Sequence, residues 1–205
     1  LREQGFGDEE TLVLFCSDNG GVRRLGSNGI LRAGKGTLYE GGVRVPAVIS
    51  WPGRLPAGIL VHEPLHIVDL YPTLLRLAGA SLAQPLPLDG RDCWSVIAAG
   101  AQSPHELIVH NVTPWSGAIR VGDWKIIHNG RLGVHATKGP KRETWQLFNI
   151  AEDPGERRDL RSQQPAIFAR LQEQLQAVRA TAVKPNMAPN SPPAGFEVPA
   201  VWGER

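Results

Sequence analysis

Two short polar segments contain the residues of this chain that are best suited to chemistry. Residues 17–21, with the sequence SDNGG, directly follow the apolar run of residues 11–16. They offer the carboxylate of Asp18 and the amide oxygen of Asn19, and hard cations such as Ca²⁺ and Mg²⁺ prefer oxygen ligands of this kind. Further along the chain, Lys35 lies in a glycine-rich loop, where its ammonium group could bind an oxyanion as a point charge.

Each of these residues also has a simple structural interpretation. Asp and Asn-Gly are common in turns, so the local sequence alone favours a turn at Asp18 and Asn19. Lys35 could be a solvated surface lysine, although the flanking Gly34 and Gly36 would let the backbone come close to a ligand. Two oxygen ligands are too few for a complete metal site, so a site here needs further ligands from elsewhere.

Two other motifs match chemical signatures less well. Residues 62–66 read HEPLH, but the zinc-peptidase pattern needs a continuous helix, and Pro64 disfavours helical backbone at the residue before it. Two polar residues at a helix entry is therefore the favoured interpretation, and a metal assay would settle the distant alternative. Residues 29–36 nearly match a phosphate-binding loop, yet Gly36 replaces the required Ser or Thr, and residues 39–46 are predicted to hold no helix. Nucleotide binding is rejected, and only the idea of a bound oxyanion is kept.

The elements predicted around the first segment place it at the end of a strand. Residues 11–16 are predicted to form a buried strand, because a short continuous apolar run stops at turn residues. In open α/β sheets, ligands bind at the carboxyl ends of strands. Residues 17–44 hold eight glycines and few core residues, so they are predicted to form either a long ordered loop or no structure at all. Long loops inside compact domains are usually functional. Within that loop, Glu40 and Arg44 are predicted to be a structural pair that ties it down.

The next stretch of the chain predicts one more strand and two helices. Residues 45–51 form a short apolar run that is typical of a strand. Residues 67–78 are predicted to be helical, with Asp69 as the N-cap and Gly79 just beyond the C-terminus. A short helix is predicted at residues 89–99.

The pattern changes near residue 103, where we predict a boundary between residues 1–103 and residues 104–205. Short strand-like runs follow at residues 107–110, 118–121, 124–128 and 145–148. Gly122 and Asp123 predict a tight hairpin turn, and residues 166–180 repeat apolar side chains at helical spacing. A small antiparallel sheet with one packed helix fits this pattern, and an extended tail is predicted from Val183.

Composition limits the classes of function. The 205 residues are 41% hydrophobic and 20% charged, which is typical of a globular protein, and the net charge is +2. The mixed charges give no footprint for nucleic acid or for an anionic membrane surface. No apolar run approaches the length of a spanning helix, so no membrane span is expected. Cys16 and Cys93 are too few for a disulfide framework, and Cys16 is expected to be a buried thiol.

In combination, these segments resemble the type I sulfatases, the arylsulfatase family. The resemblance covers nearly the whole chain from about residue 11. The motifs that carry it lie at residues 14–21, 31–46, 66–75, 87–90 and 147–156. Within the family, residues 107–111, 118–125 and 201–203 resemble arylsulfatase B, an N-acetylgalactosamine-4-sulfatase.

The resemblance implies a fold and a reaction. The fold would be the C-terminal part of an alkaline-phosphatase-like sulfatase α/β domain, followed by the small antiparallel sheet with its packed helix. The reaction would be hydrolysis of sulfate esters, either aryl sulfates or sulfated glycans, by a formylglycine nucleophile and a divalent cation. That cation would be calcium, with magnesium possible. Asp18 and Asn19 match the metal ligands of the family, and Lys35 matches a lysine that binds the sulfate. The family also implies a secreted, periplasmic or lysosomal location.

The chain departs from the family pattern at the nucleophile. Formylglycine is made from Cys in a C-x-P/A-x-R motif, and neither Cys16 nor Cys93 has that context. The catalytic nucleophile is therefore expected outside this chain. The remainder of the sulfatase domain would be a partner of this chain. This chain alone is expected to be inactive. A sulfatase-like module that binds without turnover is the alternative.

Overall fold

A computed structural model describes residues 2–7, 9–113, 115–131, 140–181 and 195–197. Its elements are β1 (Val13–Cys16), α1 (Glu40–Val43), β2 (Ala47–Ser50), α2 (Leu70–Leu77), α3 (Trp94–Ala99), β3 (Ile108–Val112), β4 (Gly117–Val121), β5 (Trp124–His128), β6 (Trp145–Asn149) and α4 (Pro165–Ala180). Short 3₁₀ turns lie at Arg2–Gln4 and Ile67–Asp69. Most of the predicted tail, including residues 201–203, lies outside the described residues.

The second half of the chain forms a four-stranded antiparallel sheet in the order β3-β4-β5-β6. Each strand follows its neighbour in sequence, as in a meander. All four predicted strands are confirmed, one at its predicted residues and three with ends shifted by one or two residues. Val121 pairs with Trp124, which leaves Gly122 and Asp123 as a two-residue turn. Gly122 has a φ of 56°, a left-handed conformation that glycine adopts without steric cost. The predicted hairpin is confirmed.

Helix α4 covers one face of this sheet, as predicted. Leu171 and Leu175 are fully buried among Ile119, Ile126 and Leu147 of the three later strands. Burying an aliphatic side chain of this size stabilises a fold by about 1.5–3 kcal/mol. The helix begins at Pro165, which suits the first helical position because its missing N–H has no intrahelical acceptor there.

The other face of the sheet is covered by the glycine-rich loop. Leu38 is fully buried against Ala118, Ile127 and Phe148, and its N–H donates to the carbonyl oxygen of Gly130 at 2.8 Å. The loop and the sheet therefore share one core, although they come from either side of residue 103. The division into two domains at that residue stays a prediction.

The first half of the chain is much more open. Strands β1 and β2 form a two-stranded antiparallel sheet in which Phe15 pairs with Val48. The strand is where the sequence predicts it, but its predicted burial is wrong, because Val13, Phe15 and Val48 are 44%, 67% and 65% exposed. Its only strand partner among the described residues is β2, and no described element packs on the face that carries Phe15. Cys16 is accordingly half-buried rather than buried.

The helices of the first half are confirmed with corrected ends. Residues 67–69 form a 3₁₀ turn before α2, and Gly79 ends the helix with a φ of 68°. Asp69 does not cap α2 with its side chain. Its carboxylate instead accepts hydrogen bonds from the N–H groups of His66 at 2.8 Å and Arg91 at 2.9 Å. Helix α3 is shorter than predicted.

One prediction about the loop is wrong. Residues 39–46 were predicted to hold no helix, yet Glu40–Val43 forms a single helical turn, α1. The N–H groups of Gly42 and Val43 both donate to the carbonyl oxygen of Tyr39. Glycine weakens a helix without forbidding a turn that surrounding contacts hold in place. In the part of the chain that the structure describes, no helix has the length and apolar character needed to cross a membrane.

Candidate metal and anion site

The structure brings the two chemically interesting segments side by side. The backbone N–H of Lys35 donates to the carbonyl oxygen of Gly21 at 3.3 Å. The N–H of Gly20 donates to the carbonyl oxygen of Gly42 at 3.0 Å. The segment with Asp18 and the loop that contains the lysine are therefore neighbours, although the sequence separates them.

Asn28 joins these segments through its side chain. Its amide nitrogen donates to the carbonyl oxygens of Gly21 at 3.1 Å and Ala33 at 2.8 Å. Its amide oxygen accepts from the N–H of Gly21 at 2.8 Å. The sequence analysis missed this residue, because a single asparagine among turn formers has no spacing that distinguishes it.

The glycines explain how the segments can lie so close. A Cβ atom added at Gly20 would overlap the carbonyl oxygen of Gly41, and one at Gly34 would overlap that of Gly21. Backbone thus packs directly on backbone, which only residues without a side chain allow. The glycine-rich composition of the loop is a packing requirement for this arrangement.

Asp18 and Asn19 lie in the turn that follows β1. Asp18 is exposed and Asn19 is half-buried, while the Ser17 hydroxyl donates to the carbonyl oxygen of Asn19 at 2.9 Å. A carboxylate and an amide oxygen fit part of the shell of a hard cation. Within the described ranges, no group of three or more His, Cys, Asp or Glu side chains is placed to hold a metal ion. The donor set therefore fits a divalent cation only in part, as expected from two ligands.

Lys35 is exposed at the surface of the loop. Its backbone is fixed on one side by Gly21 and followed by a tight turn, in which the Thr37 N–H and hydroxyl both contact the carbonyl oxygen of Gly34 at 3.1 and 2.7 Å. The side chain is thus free to point a positive charge away from a rigid backbone. The ammonium group of Lys35 therefore lies on a segment whose backbone contacts the segment of Asp18 and Asn19.

Three charged side chains lie buried directly beneath this loop. The Lys125 ammonium lies 2.7 Å from a Glu40 carboxylate oxygen and 3.0 Å from a Glu156 carboxylate oxygen. Lys125 and Glu156 are fully buried, and Glu40 is 3% exposed. Burial raises the pKa of Glu156, and the adjacent Lys125 ammonium partly offsets that shift. We call these three residues the buried ion cluster.

The buried ion cluster changes the predicted role of Glu40. Arg44 does lie four residues away at 4.0 Å from the Glu40 carboxylate, but its side chain is 58% exposed. Exposed pairs of this kind contribute little, so Lys125 is the partner that matters. The sequence analysis missed it, although a lysine between apolar residues of a buried strand is itself an unusual signal.

The side chain of Arg32 contacts both the glycine-rich loop and the residues that follow the four-stranded sheet. Its guanidinium lies 4.0 Å from the centre of the Tyr39 ring, and it donates to the carbonyl oxygen of Glu156 at 2.9 Å. The Tyr39 hydroxyl donates to the side-chain oxygen of Gln146 at 2.6 Å, and burial raises the pKa of this tyrosine. Both residues hold the loop against the sheet.

The zinc-peptidase motif has no geometry for zinc. Residues 62–66 form no helix. The N–H of Val68 donates to Nδ1 of His66 at 3.3 Å, and Nε2 of the same ring lies 3.3 Å from the carbonyl oxygen of Val109. The Glu63 carboxylate accepts from the N–H of Ser103 at 2.8 Å. His66 therefore contacts the first strand of the sheet, whereas Glu63 holds the segment that leads to it.

The known proteins that this chain resembles in sequence are sulfatases. Residues 4–80 match the sequence model of the family described as Sulfatase. Over 203 residues the chain is 38% identical to the steryl-sulfatase of Mus musculus, with 84% of this chain and 32% of that protein covered. It is 32% identical to arylsulfatase J of Mus musculus (99% and 40% covered) and 37% identical to arylsulfatase A of Homo sapiens (74% and 34% covered). The chain thus spans between 32% and 40% of the length of these relatives.

Solved structures with a similar fold include a protein that is named as a sulfatase. The chain superposes on Ps i-CgsB with a TM-score of 0.68 and 32% identity, covering 83% of this chain and 36% of that one. Ps i-CgsB has also been solved in complex with k-i-k-neocarrahexaose. The PsFucS1 sulfatase from Pseudoalteromonas sp. also gives a TM-score of 0.68, with 27% identity and 88% and 38% covered. The predicted α/β fold class is confirmed.

Proposed function

We propose that this chain, a relative of the sulfatases over most of its length, is the C-terminal part of an enzyme that hydrolyses sulfate esters. The observation that carries the proposal is the junction of residues 17–21 with the loop of Lys35. It brings two hard oxygen ligands and one cationic side chain onto adjacent backbone segments. A sulfate group, with its negatively charged oxygens, needs both kinds of partner.

Each candidate residue has a distinct role in this proposal. Asp18 and Asn19 would contribute part of the shell of a divalent cation, calcium by family resemblance or magnesium. Such a cation, when bound, polarises the sulfate oxygens. Lys35 would direct its ammonium group at oxygens whose negative charge grows as the sulfur–oxygen bond of the ester breaks. The remaining ligands and the group that protonates the leaving oxygen would come from outside these 205 residues.

The nucleophile is also proposed to lie outside this chain. The Cys93 thiol is buried, with its Sγ 3.2 Å from the Thr73 hydroxyl, and burial raises its pKa. A protonated and inaccessible thiol is a poor nucleophile. Neither this cysteine nor Cys16 has the C-x-P/A-x-R context, so formylglycine is expected in the preceding part of the enzyme.

The uncovered apolar surfaces support a missing partner of the same protein. Phe15 and Val48 on the β1–β2 pair are about two-thirds exposed, and Ile67 and Tyr71 beside α2 are 57% and 55% exposed. Phe15 and Val48 are direct cross-strand neighbours, and exposed apolar patches of this kind mark interfaces. We propose that the remainder of the sulfatase α/β domain covers it.

Sulfated sugars are the proposed natural substrates. The solved complex of Ps i-CgsB with k-i-k-neocarrahexaose favours a sugar over a simple aryl sulfate. Residues 107–111 and 118–125 resemble arylsulfatase B, but the connection between His110 and Gly117 is shorter than expected for the animal 4-sulfatases, so the proposal is not narrowed to N-acetylgalactosamine 4-sulfate. The third segment of that resemblance, residues 201–203, lies outside the described residues.

One experiment tests the function directly. The complete protein that contains this chain should hydrolyse an aryl sulfate in the presence of calcium, and removal of the metal by a chelator should stop turnover. Binding of a sulfated glycan without turnover would instead support the sulfatase-like binding module. If the complete protein shows no turnover and also binds no sulfate or sulfated glycan, both the enzyme and the binding-module proposals are overturned.

A further inference from the structure

We propose that the buried ion cluster of Lys125, Glu40 and Glu156 is a positioning device that sets the place of Lys35. The small C-terminal sheet would then take part in sulfate binding through the backbone of the lysine loop. This inference rests on the proposed function, since it assigns a cause for the position of the sulfate-binding lysine. The three residues would act through Lys35 and would not touch the substrate.

The first argument is that charge burial is a poor way to stabilise a fold. Removing three charged groups from water is costly, and apolar residues of the same shape often support a fold equally well. Lys125 and Glu156 are nevertheless completely shielded from solvent, since both have a relative exposure of 0%. Ionic groups have fixed partners and directions, which apolar packing lacks. Fixing one geometry explains the cluster better than stabilisation does.

The second argument is that Glu156 holds the loop on both sides of Lys35. Its carboxylate accepts from the N–H of Glu40 at 2.6 Å, after the lysine. Its carbonyl oxygen accepts from the Arg32 guanidinium at 2.9 Å, before the lysine. Residues 32 and 40 are the ends of a nine-residue segment centred near the lysine, so one residue of the C-terminal part sets the position of both ends.

The third argument is the conformation of Glu156 itself. It has a φ of 50°, in the left-handed region that non-glycine residues rarely adopt. Backbone held in such a conformation is typical of functional positions, where the surroundings over-determine it. Here it lets the carboxylate and the carbonyl group of the same residue contact opposite ends of the loop.

The fourth argument is that the loop between these ends is stiff. The N–H of Gly41 donates to the carbonyl oxygen of Arg32 at 2.9 Å, which closes the segment on itself. The Thr37 hydroxyl and N–H both bind the carbonyl oxygen of Gly34. A shift of Glu40 is therefore transmitted to Lys35, five residues earlier, and is not absorbed by flexible backbone.

Kinetics of the complete protein test the proposal. Lys125→Met should lower kcat on an aryl sulfate roughly 10- to 100-fold, the loss expected from a misplacement of about 1 Å. In a Lys35→Ala background the same substitution should have an effect smaller than about twofold, since residues that act through one group are not additive. Glu156→Gln, which can still accept from the Glu40 N–H, should retain more activity than Glu156→Ala. Arg158→Met removes an exposed charge near the same sheet and should leave kcat unchanged.

Two results would overturn the positioning role. One is an equal loss of kcat for Lys125→Met with and without Lys35. The other is an unchanged kcat with a lowered Tm, which would make the cluster purely structural. Either result would leave the sulfatase assignment intact, because the parent enzyme would still turn over.

Amide hydrogen exchange on the 205-residue chain tests the linkage without any activity. In Lys125→Met and in Glu156→Gln, residues 34–42 should exchange faster than in the parent, whereas the core of α4 should keep its protection. Unchanged exchange at residues 34–42 would overturn the proposal. Faster exchange combined with an inactive complete protein would support the linkage and reject the function, so the two failures are distinguishable.

Discussion

The sheet of strands β3 to β6 and the β1–β2 pair have similar apolar sequences but very different surroundings. In the four-stranded sheet, Ile126 is covered by α4 and Ile127 by the glycine-rich loop, so both are fully buried. In the strand pair, Phe15 and Val48 are directly opposite one another and remain about two-thirds exposed. An apolar strand is buried only if something covers each of its faces, and the part of the chain that the structure describes leaves this face of the strand pair exposed.

The candidate site lies between these two regions and draws on both. Asp18 and Asn19 follow the exposed strand β1, whereas Lys35 belongs to a loop that packs on the closed sheet through Leu38. The backbone of the lysine loop is therefore held in place by contacts within this chain. Asp18 and Asn19, the proposed oxygen ligands, instead follow a strand that is largely exposed. We therefore expect the lysine loop to be held more firmly in this chain than the proposed metal ligands.

The largest expected effect is a difference in stability between the two regions. Leu171→Ala, in the core under α4, should destabilise this chain by about 2–5 kcal/mol, because it leaves a cavity in a packed interior. Phe15→Ala, on the open strand, should change its stability by less than about 0.5 kcal/mol. Chemical denaturation followed by circular dichroism measures both.

The Phe15→Ala variant also tests whether a cover is missing. In the complete protein, Phe15→Ala should cost about 3–5 kcal/mol, the value for a buried aromatic side chain. Leu86→Ala, at another exposed apolar position (75% exposed), is the matched control and should remain near neutral in both forms. An equally small effect of Phe15→Ala in both forms would mean that the proposed cover is absent.

The next effect concerns the lysine. In the complete protein, Lys35→Ala should reduce kcat about 10²- to 10³-fold on an aryl sulfate, comparable with the loss of one preorganised group that stabilises charge in the transition state. The KM should rise as well, since the ground-state sulfate also binds the ammonium. Lys141→Ala, at another exposed lysine, is the control. A kcat unchanged by Lys35→Ala would return this residue to an ordinary surface role.

A smaller effect is expected from the metal ligands. A cation present at about one hundred times its dissociation constant stabilises the protein that binds it by about 2.7 kcal/mol. Calcium should therefore raise the Tm of the complete protein, and the double variant Asp18→Ala/Asn19→Ala should abolish that increase. In this chain alone, calcium should shift the Tm little or not at all. If the double variant responds to calcium like its parent, these residues are not ligands.

The smallest effect is a pH dependence of the stability of the four-stranded sheet, the region of strands β3 to β6 that is covered on both faces. Burial, together with nearby positive charge, lowers the pKa of His110 well below 6.5, and burial beside Arg179 also lowers that of His128. A lowered pKa means that the folded state binds the proton less well than the unfolded state, so stability falls as the pH drops below about 6.5. Glu156, whose pKa is raised, acts in the opposite sense, and its contribution is lost as the pH rises above about 4.5.

Thermal unfolding between about pH 7 and about pH 5 checks this sign. The Tm of the parent chain should decrease by a few degrees over this range, and His110→Gln should reduce the decrease. A Tm that rises as the pH falls through this window would mean that the carboxylates dominate over the histidines.

Local sequence patterns predicted most of the closed region. Strand β5 was predicted at its observed residues, and the turn at Gly122 followed from Gly-Asp between two apolar runs. Helix α4 followed from its apolar spacing, with one residue added at its start. These features depend on neighbours in the sequence, which is why they can be derived without knowing the tertiary structure.

The features that escaped prediction depend on distant residues. Glu40 was paired with Arg44, which is visible four residues away, whereas its buried partner Lys125 is 85 residues distant. Glu156 lies 116 residues from Glu40. The exposure of Phe15 has the same origin, because its apolar context indicates burial but cannot say whether a cover is present. The candidate site residues were predicted, but the contacts that hold them were not.

The most direct test of the account compares this chain with the complete protein in one assay. Both are incubated with an aryl sulfate and calcium, each beside its own Lys35→Ala variant. The account predicts turnover by the complete protein that depends on Lys35, and no turnover by the 205-residue chain above its variant, because the chain offers only two proposed metal ligands and one proposed sulfate-binding lysine. Turnover by the chain alone above that of its Lys35→Ala variant would contradict the account, since it would require a nucleophile within these residues.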